Sequence, residues 1–197
     1  MIDALGLILI SGSYLSGSVP FGLLLTRWAG HGDVRQQGSG NIGATNVLRT
    51  AGKKLGALTL LCDALKGAIP VTVAHLLIPE WVMVCGLAAF CGHLFPVWLR
   101  FRGGKGVATA LGVMLAAAPL AGALTCLTWL VTARIFRISS LAALVSIGAM
   151  PLFAWATQGQ GQIVALGAVM AAAVILKHHT NIKRLLSGTE PKIGQKT

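Results

Sequence analysis

The sequence predicts an all-α, polytopic integral membrane protein, on three observations: composition, the length of its apolar runs, and where its cations fall. Of 197 residues, 55% are hydrophobic and only 11% charged, and the mean hydropathy is +0.76. An ordinary soluble domain carries roughly one-quarter charged residues. Runs of about 20 apolar residues can cross a bilayer, where only helices or closed barrels satisfy the backbone; the Leu- and Ala-rich runs here point to helices. Sixteen Lys and Arg against five Asp and Glu leave a net charge of +11 and a pI near 10.3. That balance would also suit a nucleic-acid binder. The cations, however, sit at the ends of apolar runs, the orientation signal of a membrane protein, so no nucleic-acid partner is expected.

The first apolar run covers residues 4–28 and is broken near residues 17–22 by Pro20. It has no basic stretch before it, so a cleaved signal peptide is not expected. A polar, glycine-rich loop follows to Lys54. The second run, 55–78, is interrupted by Asp63 and Lys66, and Pro79-Glu80 turn the chain into the third, 81–99. Basic residues return from Arg100 to Lys105. Residues 106–136 form a run of about 30, too long for one crossing, which divides at Ala118-Pro119 into a helical hairpin. Arg134 and Arg137 close it. The last runs are 140–156 and 163–176, separated by the uncharged residues 157–162. Cys62, Cys85, Cys91 and Cys126 all lie inside apolar segments without a C-x-x-C pair, so neither a metal nor a disulfide framework is expected.

This gives about seven crossings in a single domain, residues 1–197. With the N-terminus outside, the inner loops hold residues 27–54, 100–105, 134–137 and 177 onward. Fifteen of the sixteen Lys and Arg then lie inside, Lys66 being the exception. The outer turns hold Asp3, Glu80 and neutral residues. Five crossings, with the two shorter regions counted differently, is the alternative.

Three inner loops carry polar motifs. The first contains Gly38-Ser39-Gly40-Asn41-Ile42-Gly43, a G-x-G-x-x-G match with Asp63 about 20 residues on. A dinucleotide site is excluded because the motif follows a membrane helix instead of a strand. What remains is local physics: glycines turn backbone N–H groups toward an anion, and a helix from Ala44 offers its positive end. Thr45 and Arg49 share one face of that helix, with Asn46 beside them, and Arg49 can clamp a phosphate bidentately. The bland alternative is a juxtamembrane turn with a headgroup arginine. The second loop runs from Gly92-His93 to Gly103-Gly104-Lys105-Gly106, a second anion nest at a helix start. It is no Walker A loop, since Gly106 stands where Ser or Thr is required; an orientation anchor is its alternative. In the third, residues 177–190, His178 and His179 do not share a helix face and make a poor zinc pair. One of them suits substrate contact or proton relay, with interfacial solvation as the alternative.

Within the second span, Asp63 and Lys66 are three residues apart and can pair on one face. Alone, each would cost about 2.5–3.5 kcal/mol at mid-membrane on insertion scales. The pair either locks helices or supports the floor of a site.

These loops, in this order, resemble the bacterial acyl-phosphate:glycerol-3-phosphate acyltransferase (PlsY) family. The likeness rests on Asp33-Val34-Arg35 leading to Gly-Ser-Gly-Asn-Ile-Gly-Ala-Thr-Asn and Arg49, and on Gly-His-Leu-Phe-Pro leading to Gly-Gly-Lys-Gly-Val-Ala-Thr. It also rests on His-x-x-Asn-Ile-x-Arg-Leu near the end, and Asp63, Lys66 and Gly67 fit as well. It spans nearly the whole chain; Thr180 replaces a common acidic residue and Arg102 a common Lys. The resemblance implies transfer of a fatty acyl group from acyl phosphate to the sn-1 hydroxyl of glycerol 3-phosphate. The products are lysophosphatidic acid and phosphate, with no cofactor and no metal. It implies the bacterial cytoplasmic membrane, an active site facing the cytoplasm, and membrane lipid as surroundings, and it leaves docking of a soluble acyl-phosphate synthase open.

By the same resemblance Ser39, Arg49, Lys105, His178 and Asn181 form the catalytic set. Gly40, Asn41, Gly43, Thr45, Asn46, His93, Gly103, Gly104, Gly106 and Glu190 line the substrates, with Asp63 and Lys66 in support. Arg49 and Lys105 are expected on glycerol phosphate. Ser39, Asn46 and the Gly103-Gly104 backbone are expected around the acyl phosphate, with His178 and Asn181 completing the wall. No His has Asp five residues later, so the dyad of thioester-using glycerol-phosphate acyltransferases is absent. The expected base is therefore the donor's own phosphate, with a histidine as rival. A transporter would also want broken helices and intramembrane charge, but the motifs lie at one face and no internal repeat is present. A non-catalytic lipid-binding scaffold is the third class.

Overall fold

The structure is a computed structural model describing residues 4–159 and 161–195. Asp3, Gln160 and Lys196, part of the charge argument above, lie outside the described residues. Ten α-helices and three short 3-10 turns, without a strand, make up the described residues. In chain order the helices are α1 (Ala4–Ser18), α2 (Phe21–Trp28), α3 (Ala44–Ala51), α4 (Lys53–Leu77) and α5 (Val82–Leu94). They continue with α6 (Val107–Ala117), α7 (Pro119–Phe136), α8 (Ser139–Gln158), α9 (Gln162–Lys177) and α10 (His179–Leu186).

Prolines set three of the boundaries. Pro20 breaks the first run into α1 and α2, bent by 45°. Ala118 and Ile78, each just before a proline, leave the helical region (φ −148, ψ 84 and φ −147, ψ 84), because the proline ring disfavours α for its predecessor. The division of residues 106–136 thus falls where the sequence places it. Beyond Lys177 the chain does not simply enter water: it turns by 63° into α10, a helix with Lys183 and Arg184.

Unlike in a water-soluble protein, large apolar side chains cover the outside as well as filling the core. Leu61, Leu76, Leu120, Leu127, Ile135 and Leu152 are exposed, while the interior is rich in Ala, Gly, Ser and Thr. Lipid, as apolar as leucine, gives no hydrophobic drive between helices; close backbone approach through small residues does the work. A Cβ on Gly112 would lie 2.0 Å from the Ala64 carbonyl, and one on Gly67 2.5 Å from that of Thr109, so α4 and α6 touch backbone to backbone. Gly17 against Ala89 and Gly92 against Tyr14 do the same for α1 and α5.

Four helical segments are long and apolar enough to cross a membrane: Lys53–Leu77, Pro79–Leu99, Pro119–Phe136 and Ser139–Gln158. Counting α1 with α2 and α9 with α10 as bent spans gives six. The expected seventh is α6, whose eleven residues reach only about 16 Å, half a hydrocarbon core. The all-helical membrane architecture holds, and the count of full-length spans is four to six.

Candidate active site

The first loop folds around Asn46. Its side-chain amide donates to the carbonyls of Val34 (3.1 Å), Gln37 (3.0 Å) and Asn41 (2.8 Å), and its Oδ1 accepts from the Ser39 N–H at 2.9 Å. Gly38 has φ +54 and no room for a Cβ, which would sit 2.4 Å from Asn46 Oδ1. Beneath the loop Leu23, Val34, Ile42 and Val47 form a small core of their own. Asp33 caps the turn that precedes it and pairs with Arg35 (2.6 Å) and Arg27 (2.8 Å). The hydrogen bond from the Arg35 side chain holds its carboxyl well below the usual carboxylate range. Thr45 and Arg49 share a face of α3, as the spacing predicts, and both border a cavity of about 590 Å³.

The second loop passes through Arg100 (φ 51) and Phe101 (φ 61), uncommon left-handed positions for such side chains, before reaching Lys105. The N–H groups of Gly103 and Gly104 are committed to the carbonyls of Leu94 (3.2 Å) and His93 (3.1 Å). Lys105 reaches into the cavity and donates to Asn181 Oδ1. Burial lowers its pKa, with the Glu190 charge acting the other way.

The third wall is organised by Glu190. Its Oε1 accepts from Ser140 Oγ (2.7 Å) and Asn181 Nδ2 (2.6 Å), and its Oε2 from Arg184 Nε (2.6 Å). Burial works to raise this carboxyl's pKa, but the bonds from Ser140, Asn181 and Arg184 outweigh it and the net shift is downward. His178 Nδ1 lies 2.8 Å from the Val174 carbonyl. A carbonyl only accepts, so Nδ1 carries the proton and Nε2 is the free acceptor.

Ser39, Asn41, Gly43, Thr45, Asn46, Arg49, Asp63, His93, Lys105, Gly106, His178, Asn181 and Glu190 therefore meet around one cavity. Three expectations change. Asn46, 2% exposed, has its amide spent on the loop and serves as its organiser, not as a free donor. The Gly103-Gly104 N–H groups are likewise spent internally, and Gly40 and Gly103 face a separate surface groove bordered by Arg35, Trp98, Arg100 and Arg102. Gly104 and Lys66 border neither concavity. Residues not among the expected site residues also line the cavity: Gly38, Trp129, Ser139, Ser140, Thr180, Arg184 and Pro191. Arg184, three residues past Asn181 on α10, was within reach of helical spacing; Ser139 and Ser140 carry no local signal. The other half of the cavity is apolar, formed by Leu60 of α4, Val107 and Leu111 of α6, and Cys126, Trp129 and Leu130 of α7.

Residues 7–188 match the family model described as glycerol-3-phosphate acyltransferase. The chain belongs to this family. A glycerol-3-phosphate acyltransferase of Sinorhizobium fredii is 56% identical over 190 residues, covering 96% of this chain and 93% of that one. That of Sinorhizobium medicae is 57% identical over 183 residues, covering 93% and 90%. The crystal structure of PlsY, an integral membrane glycerol 3-phosphate acyltransferase, in its glycerol 3-phosphate form superposes with a TM-score of 0.91. It is 40% identical, and 95% of each chain is covered. Its lysophosphatidic acid form gives 0.88 at 39% identity. The protein is thus an acyltransferase of the membrane-embedded type, and its three polar loops converge on the cavity just described.

Proposed function

We propose that this acyltransferase moves a fatty acyl group from acyl phosphate to the sn-1 hydroxyl of glycerol 3-phosphate, forming lysophosphatidic acid and inorganic phosphate. The observation that carries the reading is a cavity with two chemically distinct halves. The polar half holds Arg49, which has no acidic or hydrogen-bonding partner among the described residues, and Lys105, whose partner is a neutral amide. Two phosphates need two such cations. The apolar half, between α4, α6 and α7, suits an acyl tail. Related PlsY structures in glycerol 3-phosphate and lysophosphatidic acid forms support the acceptor and the product.

In this reading the acceptor hydroxyl attacks the acyl carbonyl carbon, the carbonyl–phosphate bond breaks, and phosphate departs. Arg49 and Lys105 hold the phosphates in register and neutralise charge as it moves to the leaving group. The hydroxyl proton passes to the donor's phosphate, so that the released phosphate carries it away. His178, with Nε2 unprotonated, orients the acceptor; Ser39 and the first turn of α3 face the donor phosphate. The site faces the cytoplasm of a bacterial inner membrane, with the N-terminus on the periplasmic side.

The test is direct. Purified protein in detergent, given acyl phosphate and glycerol 3-phosphate, releases phosphate and lysophosphatidic acid in equal amounts. Turnover with an acyl thioester but none with acyl phosphate would sink the donor assignment. His178→Ala separates the two bases: loss of the chemical step with both substrate affinities intact would favour histidine over the substrate's own phosphate.

A further inference from the structure

The intramembrane Asp63–Lys66 pair has a third member. His93, near the end of α5, presents Nδ1 3.9 Å from Asp63 Oδ1, and all three side chains are only 3% exposed. Lys66 has a structural task. Its ammonium lies 2.7 Å from Asp63 Oδ1 and donates at 2.8 Å to the Val19 carbonyl, beside the proline that breaks α1 from α2. That task accounts for a buried lysine and its counter-ion. It leaves unexplained why the carboxylate also faces a histidine, and why both Asp63 and His93, but not Lys66, border the substrate cavity.

His93 Nδ1 is buried and has no hydrogen-bond partner among the described residues, and Asp63 Oδ1, already held by the Lys66 ammonium at 2.7 Å, faces it. At 3.9 Å the carboxylate is an electrostatic neighbour of Nδ1, close enough to favour a ring orientation that turns this nitrogen toward it. Nε2 lies against Gly104: a Cβ there would sit 2.2 Å from it. Gly104 is not in the left-handed region, so glycine is needed here for room against the imidazole, not for its backbone freedom. From the other side, the Gly104 N–H donates to the His93 carbonyl. The Gly103-Gly104 turn is therefore folded around one histidine, and the next residue is Lys105.

We propose that Asp63 and His93 are positioning residues for Lys105. The carboxylate sets the orientation of the imidazole, the imidazole sets the turn, and the turn sets where the ammonium meets its phosphate. This rests on the proposed reaction and on Lys105 being a ligand of glycerol 3-phosphate, the role that the family resemblance implies for it. The two residues come from α4 and α5, thirty positions apart, so the pair forms no linear motif.

The test replaces the ion pair whole, Asp63→Asn with Lys66→Met, so that no buried charge is left unpaired. The midpoint of thermal unfolding is expected to stay within a few degrees, while KM for glycerol 3-phosphate rises ~10-fold and KM for the acyl donor holds within ~2-fold. Adding His93→Ala to that double variant should cost no more than His93→Ala alone, within ~2-fold, because both act through one turn. An unchanged KM, or losses that multiply, would overturn the proposal. Should the double variant fail to fold, Gly104→Ala reads the same joint from the other side and is expected to give the same selective rise; wild-type kinetics there would overturn it too. Calorimetric binding of glycerol 3-phosphate needs no acyl donor. Binding by wild type that is undiminished in the variants rejects the positioning role and leaves the proposed reaction standing. Binding abolished in the variants without any turnover of acyl phosphate by wild type supports the positioning role and rejects the donor.

Discussion

The two sides of the cavity are held by opposite chemistries. On the α3 side a neutral amide, Asn46, gathers three carbonyls and one N–H; on the α10 side a carboxylate, Glu190, gathers a hydroxyl, an amide and a guanidinium. A neutral hub spends backbone groups and leaves the adjacent cation, Arg49, without a partner among the described residues. A charged hub spends its charge on Arg184 and hands Lys105 a neutral partner, Asn181. Both constructions end alike, with one cation on each side not neutralised by the protein. An anion-binding site thus depends less on how many cations a loop carries than on which of them the fold leaves unanswered.

The comparison breaks most visibly at Arg49. Because Arg49 has no side-chain partner among the described residues, Arg49→Ala is expected to lower kcat/KM ~10³-fold, about 4 kcal/mol, with no change in thermal midpoint. Asn46→Ala is the converse. It strands buried carbonyls and one N–H at roughly 1–3 kcal/mol each where water cannot replace the amide. A fall in stability of about 3 kcal/mol is expected, with activity lost in proportion. If Arg49→Ala destabilised the protein as much as Asn46→Ala, the division between ligand and organiser would be wrong; unfolding curves in detergent decide it.

That division marks the limit of what was legible in the sequence. The breaks at Pro20 and Ala118-Pro119, the helix after Gly43 and the meeting of three loops follow from proline sterics, glycine runs and cation placement, all local signals. The family resemblance implies a ligand at Asn46, and its place on α3 beside Thr45 does not speak against one. Only the loop's return brings Val34, Gln37 and Asn41 to its amide. Ser139 and Ser140 were invisible for a similar reason: nothing around them is unusual until α8 is placed beside Glu190. Short-range spacing names the residues near a site; long-range packing decides which keep a free polar atom.

Glu190→Gln sharpens the comparison further. The amide keeps the shape but not the charge, so Arg184 is released and about tenfold in kcat/KM is expected to go, within the range for losing a charge-assisted bond. The carboxyl's pKa is lowered in the folded protein. Its stabilisation is therefore full above the ordinary glutamate pKa of about 4.3 and is lost as pH falls through the lower, folded value. The difference in thermal midpoint between wild type and Glu190→Gln should be constant from neutral pH down to that range and then shrink. Asn46→Ala carries no such dependence. On the alkaline limb, burial lowers the Lys105 pKa. Activity should accordingly decline before an exposed lysine would titrate, and Lys105→Arg should move that decline upward while lowering the rate.

The smallest effect is expected where the two sides meet. Ser139 Oγ lies 2.9 Å from Thr45 Oγ1 on the neutral side, and the next residue, Ser140, serves Glu190 on the charged side. Thr45→Val removes one neutral hydrogen bond at the edge of the cavity, worth about 1 kcal/mol, and a fewfold loss of kcat/KM should follow. Combined with Glu190→Gln, the losses should multiply to within ~2-fold, since a single weak bond cannot carry a strong constraint from one hub to the other. A double variant no worse than Glu190→Gln alone would mean that the hubs act as one unit through the Ser139-Ser140 step, and that the difference between them is one of composition only.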